Sequence, residues 1–292
     1  MIVACIPAYN EERELGPVII RTSKFVDKII VCDDGSTDLT SEVARRLGCD
    51  LIVHKNRLGK GAALKDLFAK ALEIKSDIIV TLDGDGQHDP RDISTVIDPI
   101  LKGEVDMVNG SRFLSKSKIV PHHRIIGNSV FTSFTRLLSM ESFKDLTDSQ
   151  SGFRAYSRKV LENVKIKEEG MGIDSEILIS ASESDFTVIE VPISVYYKGD
   201  EGSTLGLAHH SLEIMRSLLR MASEQKPMLY FGIPGLFMIL LGVITSFRVL
   251  RIFIDTTAIA VGSAIISIGL IIVGFLAMVT AVVLRVIMRS RK

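Results

Sequence analysis

Short apolar runs alternate with amphipathic segments along most of the chain. The runs have the length of buried strands, and the segments between them repeat apolar residues at helical spacing. Predicted strands cover residues 2–6, 28–32, 50–54, 77–82, 106–112, 187–191 and 193–197. Predicted helices cover residues 10–25, 40–47, 62–73, 91–101, 124–140, 157–164, 173–181 and 207–223. Strands that alternate with helices indicate βαβ units, so we expect an α/β fold with a mostly parallel, Rossmann-like sheet.

The pattern changes after Lys226, where the chain becomes almost entirely apolar. Residues 228–247 and residues 257–284 contain no charged side chain. Each run is long enough to cross a bilayer as a helix, which predicts a two-helix transmembrane hairpin; a buried soluble hairpin is the alternative. Basic residues flank the pair more densely than they occur in the linker, so the positive-inside rule places both ends of the hairpin in the cytoplasm.

These patterns divide the chain into three predicted parts. Residues 1–205 form a catalytic domain, residues 206–226 an amphipathic juxtamembrane helix, and residues 227–292 the hairpin. The juxtamembrane helix either lies on the membrane surface or packs on the first domain. The chain begins with a strand-like run and lacks the basic start and cleavage site of a signal peptide. We therefore expect a multi-pass membrane protein whose first domain and both termini are cytoplasmic.

Composition narrows the classes of partner. Lys and Arg total 35, as do Asp and Glu, so the formal net charge is zero and bulk nucleic-acid binding is disfavoured. The three cysteines, Cys5, Cys32 and Cys49, lack metal-ligand spacing and do not call for an oxidising compartment.

The candidate chemistry begins at the end of the strand predicted over 77–82, where Asp83 and Asp85 are separated by one residue. Gly84 and Gly86 leave the backbone free to turn there. Open α/β sheets bind ligands beyond the carboxyl ends of their strands. Because Mg²⁺ and Mn²⁺ prefer oxygen ligands and often share them with phosphates, the pattern predicts a metal–diphosphate site. The alternative is a solvated turn.

A second acidic pair, Asp33 and Asp34, follows the strand predicted over 28–32. Two such pairs favour a nucleotide site, in which one pair binds base or ribose while the other holds the metal. A Rossmann dehydrogenase would carry Gly-x-Gly-x-x-Gly after its first strand, and this chain has Pro7-Ala-Tyr-Asn-Glu-Glu there instead. Lys60, in a loop that is not a Walker motif, is expected to be exposed rather than at a phosphate.

Five stretches together resemble the GT-A glycosyltransferases of family 2, and within that family the dolichyl-phosphate mannose synthase and polyprenyl-phosphate glycosyltransferase branch. They are residues 6–12 (IPAYNEE), 32–38 (CDDGSTD), 82–88 (LDGDGQH), 110–113 (GSRF) and 148–154 (DSQSGFR). The resemblance covers roughly residues 1–205. It implies inverting, metal-dependent transfer of a hexose from a nucleotide-diphosphate sugar to a polyprenyl or dolichyl phosphate at the cytoplasmic membrane face, for glycoprotein or envelope glycan synthesis.

On the donor side, the resemblance implies that Pro7, Tyr9 and Glu11 line the nucleotide pocket. It places Asp33 or Asp34 at the base and ribose. The motifs fit GDP-mannose, UDP-glucose and UDP-N-acetylhexosamine equally.

At the metal, the resemblance implies that Asp83 and Asp85, helped by Gln87, hold Mg²⁺ or Mn²⁺. Gly84, between the two carboxylates, is expected at the substrate.

On the acceptor side, Arg112 and Arg124 are expected to face donor or acceptor phosphates. Asp148 and the turn from Ser151 to Arg154 are expected to border the acceptor. A phosphate acceptor is already anionic near neutral pH and needs no strong base. Asp148 is the candidate base if the acceptor is a hydroxyl, and loop capping is the alternative role.

Two other functions remain open from the sequence. A nucleotidyltransferase also combines an α/β sheet with paired carboxylates, but usually has a glycine-rich basic loop after its first strand. A non-catalytic membrane subunit with a degenerate transferase domain is the second alternative. Asp174 and Glu176, on the helix predicted over 173–181, fit a helix surface as well as a functional role.

Overall fold

The computed structural model describes residues 1–114, 122–139, 143–196, 204–225, 227–257 and 260–290. The chain forms two compact units, Met1–Leu218 and Leu219–Lys292. The segment predicted as a juxtamembrane helix is α8 (Thr204–Gln225), and the boundary between the units falls within it. Ile214 and Leu218 of α8 are buried, and Glu213 accepts a hydrogen bond from Met171 N at 3.3 Å. This part of α8 therefore packs within the first unit.

The described residues of the first unit contain one seven-stranded sheet with the order β3-β2-β1-β4-β6-β5-β7. Its strands are β1 (Ile2–Ala8), β2 (Lys28–Asp33), β3 (Asp50–Val53), β4 (Ile78–Thr81), β5 (Met107–Ser111), β6 (Arg154–Ser157) and β7 (Val188–Pro192). The pairs among β3, β2, β1 and β4 are parallel, as is β5 with β7, whereas β6 runs antiparallel to both its neighbours. The predicted mostly parallel α/β sheet is confirmed.

Helices cover both faces of this sheet. They are α1 (Leu15–Thr22), α2 (Thr40–Arg46), α3 (Lys60–Glu73), α4 (Ile93–Leu101), α5 (His122–Leu138), α6 (Arg158–Asn163), α7 (Ile173–Glu183) and α8, with a 3₁₀ turn at Pro90–Asp92. Alternate residues of β1 enter two different apolar cores: Val3 and Cys5 pack with α3 and α7, while Ala4 and Ile6 pack with α1 and α4. Burial on both faces explains why these strands are continuously apolar.

Three predicted elements differ from the structure. The helix predicted from Asn10 begins at Leu15, because Asn10 has φ 56° and its side chain accepts a hydrogen bond from Thr37 N at 2.9 Å. β6 was predicted as part of a turn and a helix. The strand predicted over 193–197, whose last residue lies outside the described part of the chain, contributes an isolated bridge between Val195 and His88 instead.

The second unit contains two apolar helices. A π-helical turn at Met228–Gly232 leads into α9 (Ile233–Thr256), and α10 covers Val261–Ser290. The stretches Met228–Asp255 and Val261–Ile287 contain 18-residue windows with mean hydropathies of 2.1 and 2.7, and both are long and apolar enough to cross a membrane. The predicted pair of apolar helices is confirmed. The linker predicted around Arg248 is helical, because α9 continues to Thr256.

Candidate active site

The predicted site residues follow strands whose ends meet at one edge of the sheet. In the β1–β2 register Pro7 lies opposite Cys32 and Ala8 opposite Asp33. In the β1–β4 register Cys5 lies opposite Thr81, two residues before Asp83. The parallel register therefore brings the nucleotide and metal motifs to the same edge.

Lys60 lies between two carboxylates of this edge. Its Nζ is 3.0 Å from Asp83 Oδ1 and 3.0 Å from Asp174 Oδ2, and its side chain is 13% exposed. The prediction of an exposed loop lysine is wrong. The start of α3 packs closely on the 168–170 loop, since a Cβ at Gly59 would lie 2.5 Å from Glu169 O. This contact turns Lys60 inward.

The two carboxylates of the metal motif differ electrostatically. Burial raises the pKa of Asp83, but Lys60 beside it outweighs burial and lowers that pKa to about 2. Burial and the neighbouring Asp83 raise the pKa of Asp85 above its usual range. Burial, followed by Asp85 and other acids, also raises the pKa of Glu11 to about 7. Negative charge is thus in excess beside Asp85, which fits a site for a cation.

The donor set fits a hard divalent ion that shares its ligands with substrate. Asp83 and Asp85 offer carboxylate oxygens, and Asp85 Oδ1 also accepts a hydrogen bond from Gln87 N at 2.9 Å. In the described ranges, no group of three or more His, Cys, Asp or Glu side chains is arranged to hold a metal alone. An ion at this pair would take its remaining oxygens from water or phosphate, as Mg²⁺ and Mn²⁺ commonly do.

The turn that precedes β6 closes on the metal motif. A Cβ at Gly152 would lie 2.6 Å from Asp83 Oδ2 and 2.8 Å from Lys60 Nζ. Thr81 Oγ1 donates to Gly152 O at 2.9 Å and fixes the turn to the end of β4. Gly84 is also closely packed, because a Cβ there would lie 3.3 Å from Pro7 O. Both glycines permit close approach of main chain to the site.

Arg112 and Asp148 form a two-pronged ion pair. Arg112 Nε donates to Asp148 Oδ2 and Nη2 to Oδ1, each at 2.7 Å, and Arg112 N donates to Oδ2 at 3.1 Å. The Asp148 side chain has no exposed surface. In this arrangement Asp148 orients Arg112 and caps its own loop. Arg124 lies in the first turn of α5, and its side chain is outside the described part of the chain.

The predicted acceptor residues Ser151 and Arg154 are buried. Arg154 donates to Asp174 O at 2.7 Å and to Ser149 O at 3.0 Å, and Ser151 Oγ accepts from Phe153 N at 3.3 Å. Arg154 therefore holds the 148–154 loop to the start of α7, whereas Ser151 stabilises the turn of its own loop.

The acidic pair after β2 divides into two roles. Asp34 accepts hydrogen bonds from Leu58 N and Gly59 N, both at 2.8 Å, and from His54 Nδ1 at 2.7 Å. It therefore fixes the loop that leads to Lys60. A nucleotide role for this pair is better suited to Asp33.

Asp33 and Tyr9 lie at the ends of β2 and β1, at the same edge of the sheet. Asp33 Oδ1 accepts from Ser36 N at 2.9 Å, and its other oxygen accepts from the Ser41 hydroxyl. The guanidinium of Arg57 lies over the ring of Tyr9, 4.3 Å from its centroid. An aromatic ring beside a cation suits a planar, anionic ligand such as a nucleotide.

Sequence reasoning missed Lys60, and it left Asp174 undecided. The signal for Lys60 was the pair of flanking glycines, Gly59 and Gly61, which mark close backbone packing. A third residue, Glu190 on β7, was not singled out; the signal was a carboxylate inside an otherwise apolar strand.

Comparisons with known proteins agree with this geometry. The chain matches the model of Glycosyl transferase family 2 over residues 3–165. A UDP-N-acetylglucosamine–dolichyl-phosphate N-acetylglucosaminyltransferase of Methanococcus voltae is 34% identical, covering 68% of this chain and 86% of that protein. A dolichyl-phosphate hexose transferase of Haloferax volcanii is 31% identical, covering 67% of this chain and 82% of that protein.

Among solved structures, glucosyl-3-phosphoglycerate synthase from Mycobacterium tuberculosis with Mn²⁺ and UDP-glucose has a similar fold. The TM-score is 0.62 at 25% identity, covering 76% of this chain and 78% of that one. This likeness confirms the predicted GT-A fold. The family match covers more than half of the chain and includes the motifs after β1, β2, β4 and β5. Glycosyl transfer is thereby favoured over the nucleotidyltransferase and non-catalytic alternatives, and the chain belongs to glycosyl transferase family 2.

Proposed function

We propose that this glycosyltransferase moves a hexose from a nucleotide-diphosphate sugar to a polyprenyl phosphate, such as dolichyl phosphate, in one inverting step. The observation that carries the proposal is the close approach of the Gly152 turn to Asp83, the first carboxylate of the Asp83–Asp85 pair. Arg112 lies near enough to lower the pKa of Asp83. Relatives named for transfer to dolichyl phosphate support the choice of acceptor.

Asp83 and Asp85, with Gln87, are the residues we propose to hold Mg²⁺ or Mn²⁺. A divalent ion at this pair would neutralise the diphosphate that leaves the sugar. Lys60 adds a fixed positive charge on Asp83 and holds that carboxylate ionised. The ion pair of Lys60 and Asp83 is thus already in place before substrate binds. Such preorganisation of charge is what electrostatic catalysis requires.

Arg112 is the residue we propose for the acceptor phosphate. Its guanidinium is oriented by both oxygens of Asp148, so its direction is fixed before binding. Arginine recognises phosphate oxygens through parallel hydrogen bonds. Because a phosphate monoester is already anionic, the buried position of Asp148 is compatible with transfer that needs no general base.

Placement at a membrane follows from the acceptor. A polyprenyl chain remains in the bilayer, and α9 and α10 are long and apolar enough to anchor the enzyme there. We propose that both helices cross the membrane and that the catalytic unit faces the cytoplasm, where basic residues flank the pair. Anchoring raises the effective concentration of the site at its lipid substrate.

The test is a transfer assay with the purified full chain in lipid. Polyprenyl phosphate and Mg²⁺ or Mn²⁺ are combined with labelled GDP-mannose, UDP-glucose or UDP-N-acetylglucosamine in separate reactions. We expect label to enter the lipid phase from one donor and to stop with EDTA. Proton NMR of the product should show an anomeric configuration opposite to that of the donor. Retention of configuration, or transfer from no donor, would contradict the proposal.

A further inference from the structure

Glu190 lies on β7, away from the metal motif, and has no role in the chemistry described above. Its carboxylate accepts four hydrogen bonds: from Thr147 N at 2.6 Å, Thr147 Oγ1 at 2.7 Å, Asp148 N at 3.0 Å and Asn109 Nδ2 at 2.9 Å. Four donors on one carboxylate use both of its oxygens fully. We call Glu190, Asn109, Thr147 and Asp148 the Glu190 cluster.

The sheet fixes this carboxylate in place. Glu190 lies directly opposite Asn109 in the parallel register of β5 and β7. Asn109 Nδ2 also donates to Asp148 O at 2.7 Å. The main-chain N–H and C=O of Asp148 are therefore both held by side chains from two neighbouring strands. A loop residue positioned in this way has little freedom to move.

Asp148 in turn determines where Arg112 points, because its two carboxylate oxygens receive Arg112 Nε and Nη2. A shift of the Asp148 main chain would move its carboxylate and with it the guanidinium. The order of contacts runs from Glu190 to Thr147 and Asp148, and from Asp148 to Arg112.

We propose that Glu190 is a positioning residue for the transfer reaction: it fixes the 147–148 turn and thereby aims Arg112 at the acceptor phosphate. This inference rests on the proposed function. Charge-assisted hydrogen bonds to backbone N–H groups are among the stronger hydrogen bonds in proteins. A neutral side chain in place of Glu190 should therefore weaken the hydrogen bonds that hold the 147–148 turn.

The turn has other tethers that do not depend on Glu190. Asn128 Nδ2 donates to Thr147 O at 2.8 Å, and Arg136 Nε donates to Leu146 O at 2.8 Å. Loss of the Glu190 charge should therefore loosen the turn while the domain stays folded. This expectation makes Glu190→Gln a usable test.

Glu190→Gln keeps the size of the side chain but replaces one acceptor oxygen by an NH₂ group. That group must face the N–H of Thr147 or Asp148, whose hydrogen bond is then lost. We expect faster hydrogen–deuterium exchange at these two amides. We also expect KM for the polyprenyl phosphate to rise about tenfold, while KM for the nucleotide sugar stays within about twofold.

The matched control is Glu183→Gln, which makes the same chemical change at an exposed position on α7. It should leave exchange at the turn and both KM values unchanged. Thr147→Val removes one of the four donors with little change in volume. It should also speed hydrogen–deuterium exchange at the turn and raise KM for the polyprenyl phosphate, but by less than Glu190→Gln does.

Unchanged exchange at Thr147 and Asp148 in Glu190→Gln would overturn the proposal. So would a fall in kcat alone, or an equal rise in both KM values, since a merely structural role predicts those results. If the wild type transfers no sugar to polyprenyl phosphate, the proposed function fails. In that case the exchange rates show separately whether Glu190 holds the turn, and an unchanged rate overturns this inference as well.

Discussion

At the scale of single residues, Asp83 and Asp85 differ although only one residue separates them. Lys60 keeps Asp83 ionised, whereas burial and the charge of Asp83 raise the pKa of Asp85. Asp85 is therefore the carboxylate whose ionised form gains most from a bound cation. This difference makes Asp85 the more informative position for mutation.

Asp85→Asn should reduce kcat/KM for sugar transfer by about a hundredfold or more, because it removes a charged ligand from the proposed metal pair. Initial rates against Mn²⁺ concentration measure the effect, and the metal concentration for half-maximal rate should rise. Asp98→Asn is the control, since Asp98 makes an exposed pair with Lys102 that contributes little. Wild-type turnover in Asp85→Asn would contradict the metal assignment.

Gly152→Ala should impair the site through packing. Its Cβ would lie 2.6 Å from Asp83 Oδ2 and 2.8 Å from Lys60 Nζ, so either the turn or this ion pair must move. We expect lower transfer activity and a lower melting temperature. Gly262→Ala, where a Cβ meets no atom within 4 Å, is the control and should change neither. Normal activity in Gly152→Ala would contradict the close packing of the turn on Asp83.

At the scale of elements, the loop between β3 and α3 connects the proposed nucleotide side of the site to the proposed metal side. The carboxylate of Asp34 accepts hydrogen bonds from Leu58 N and Gly59 N. The next residue, Lys60, forms an ion pair with Asp83. His54 lies behind this loop, with Nδ1 at 2.7 Å from Asp34 and Nε2 at 3.0 Å from Asp66. An imidazolium with a carboxylate at each nitrogen can donate to both.

This arrangement predicts a pH dependence of stability. Burial lowers the pKa of His54, but Asp34 and Asp66 outweigh it and raise that pKa above 6.5. The stability contributed by His54 is therefore fully present below pH 6.5 and is lost as pH rises through the raised value. Between about pH 6 and pH 9, the melting temperature of the metal-free wild type should therefore fall by more than that of His54→Gln. Cys32 Sγ also lies 3.5 Å from His54 Nε2.

Asp66→Asn should weaken this pH dependence without abolishing it, because Asp34 still faces Nδ1. Identical melting curves for wild type and His54→Gln across this range would contradict the charged state of His54.

Most elements were predictable because their signals are local. Strands buried on both faces, such as β1 and β4, appear in the sequence as uninterrupted apolar runs. β6 has four residues, begins with a buried arginine and follows a glycine turn, so neither length nor pattern marked it as a strand. Its place between β4 and β5 depends on pairing with residues far away in the chain.

The site was predictable to the same extent. Acidic clusters at strand ends were local signals, and they singled out Asp33, Asp83 and Asp85 as candidates, which the structure places at one edge of the sheet. The partners of Lys60 were not local, since Asp174 is 114 residues away along the chain. Glu190 and Asp148 likewise meet only through the β5–β7 pairing. The sequence therefore indicated the class of chemistry. The pairing of Lys60 with Asp83 and the positioning of the 147–148 turn by Glu190 were recognisable only in the structure.

At the scale of the whole molecule, the chain divides into two compact units, the catalytic unit Met1–Leu218 and the apolar unit Leu219–Lys292. Removal of residues 227–292 should therefore leave a folded domain that binds nucleotide with Mn²⁺. Its turnover of polyprenyl phosphate in liposomes should fall by about a hundredfold, because the site is no longer held at the membrane. A short-chain, water-soluble prenyl phosphate is the control and should be used almost as well as by the full chain. Full activity on liposomes would contradict the role of the apolar helices in anchoring.

Metal-dependent transfer to a lipid phosphate can be tested by a comparison of two acceptors in one assay. The full chain in liposomes is given its preferred labelled nucleotide sugar with either polyprenyl phosphate or the matching unphosphorylated polyprenol, with and without EDTA. We expect labelled lipid from polyprenyl phosphate but not from the polyprenol, and no labelled lipid once EDTA is present. Transfer to the polyprenol, or transfer that persists in EDTA, would contradict it.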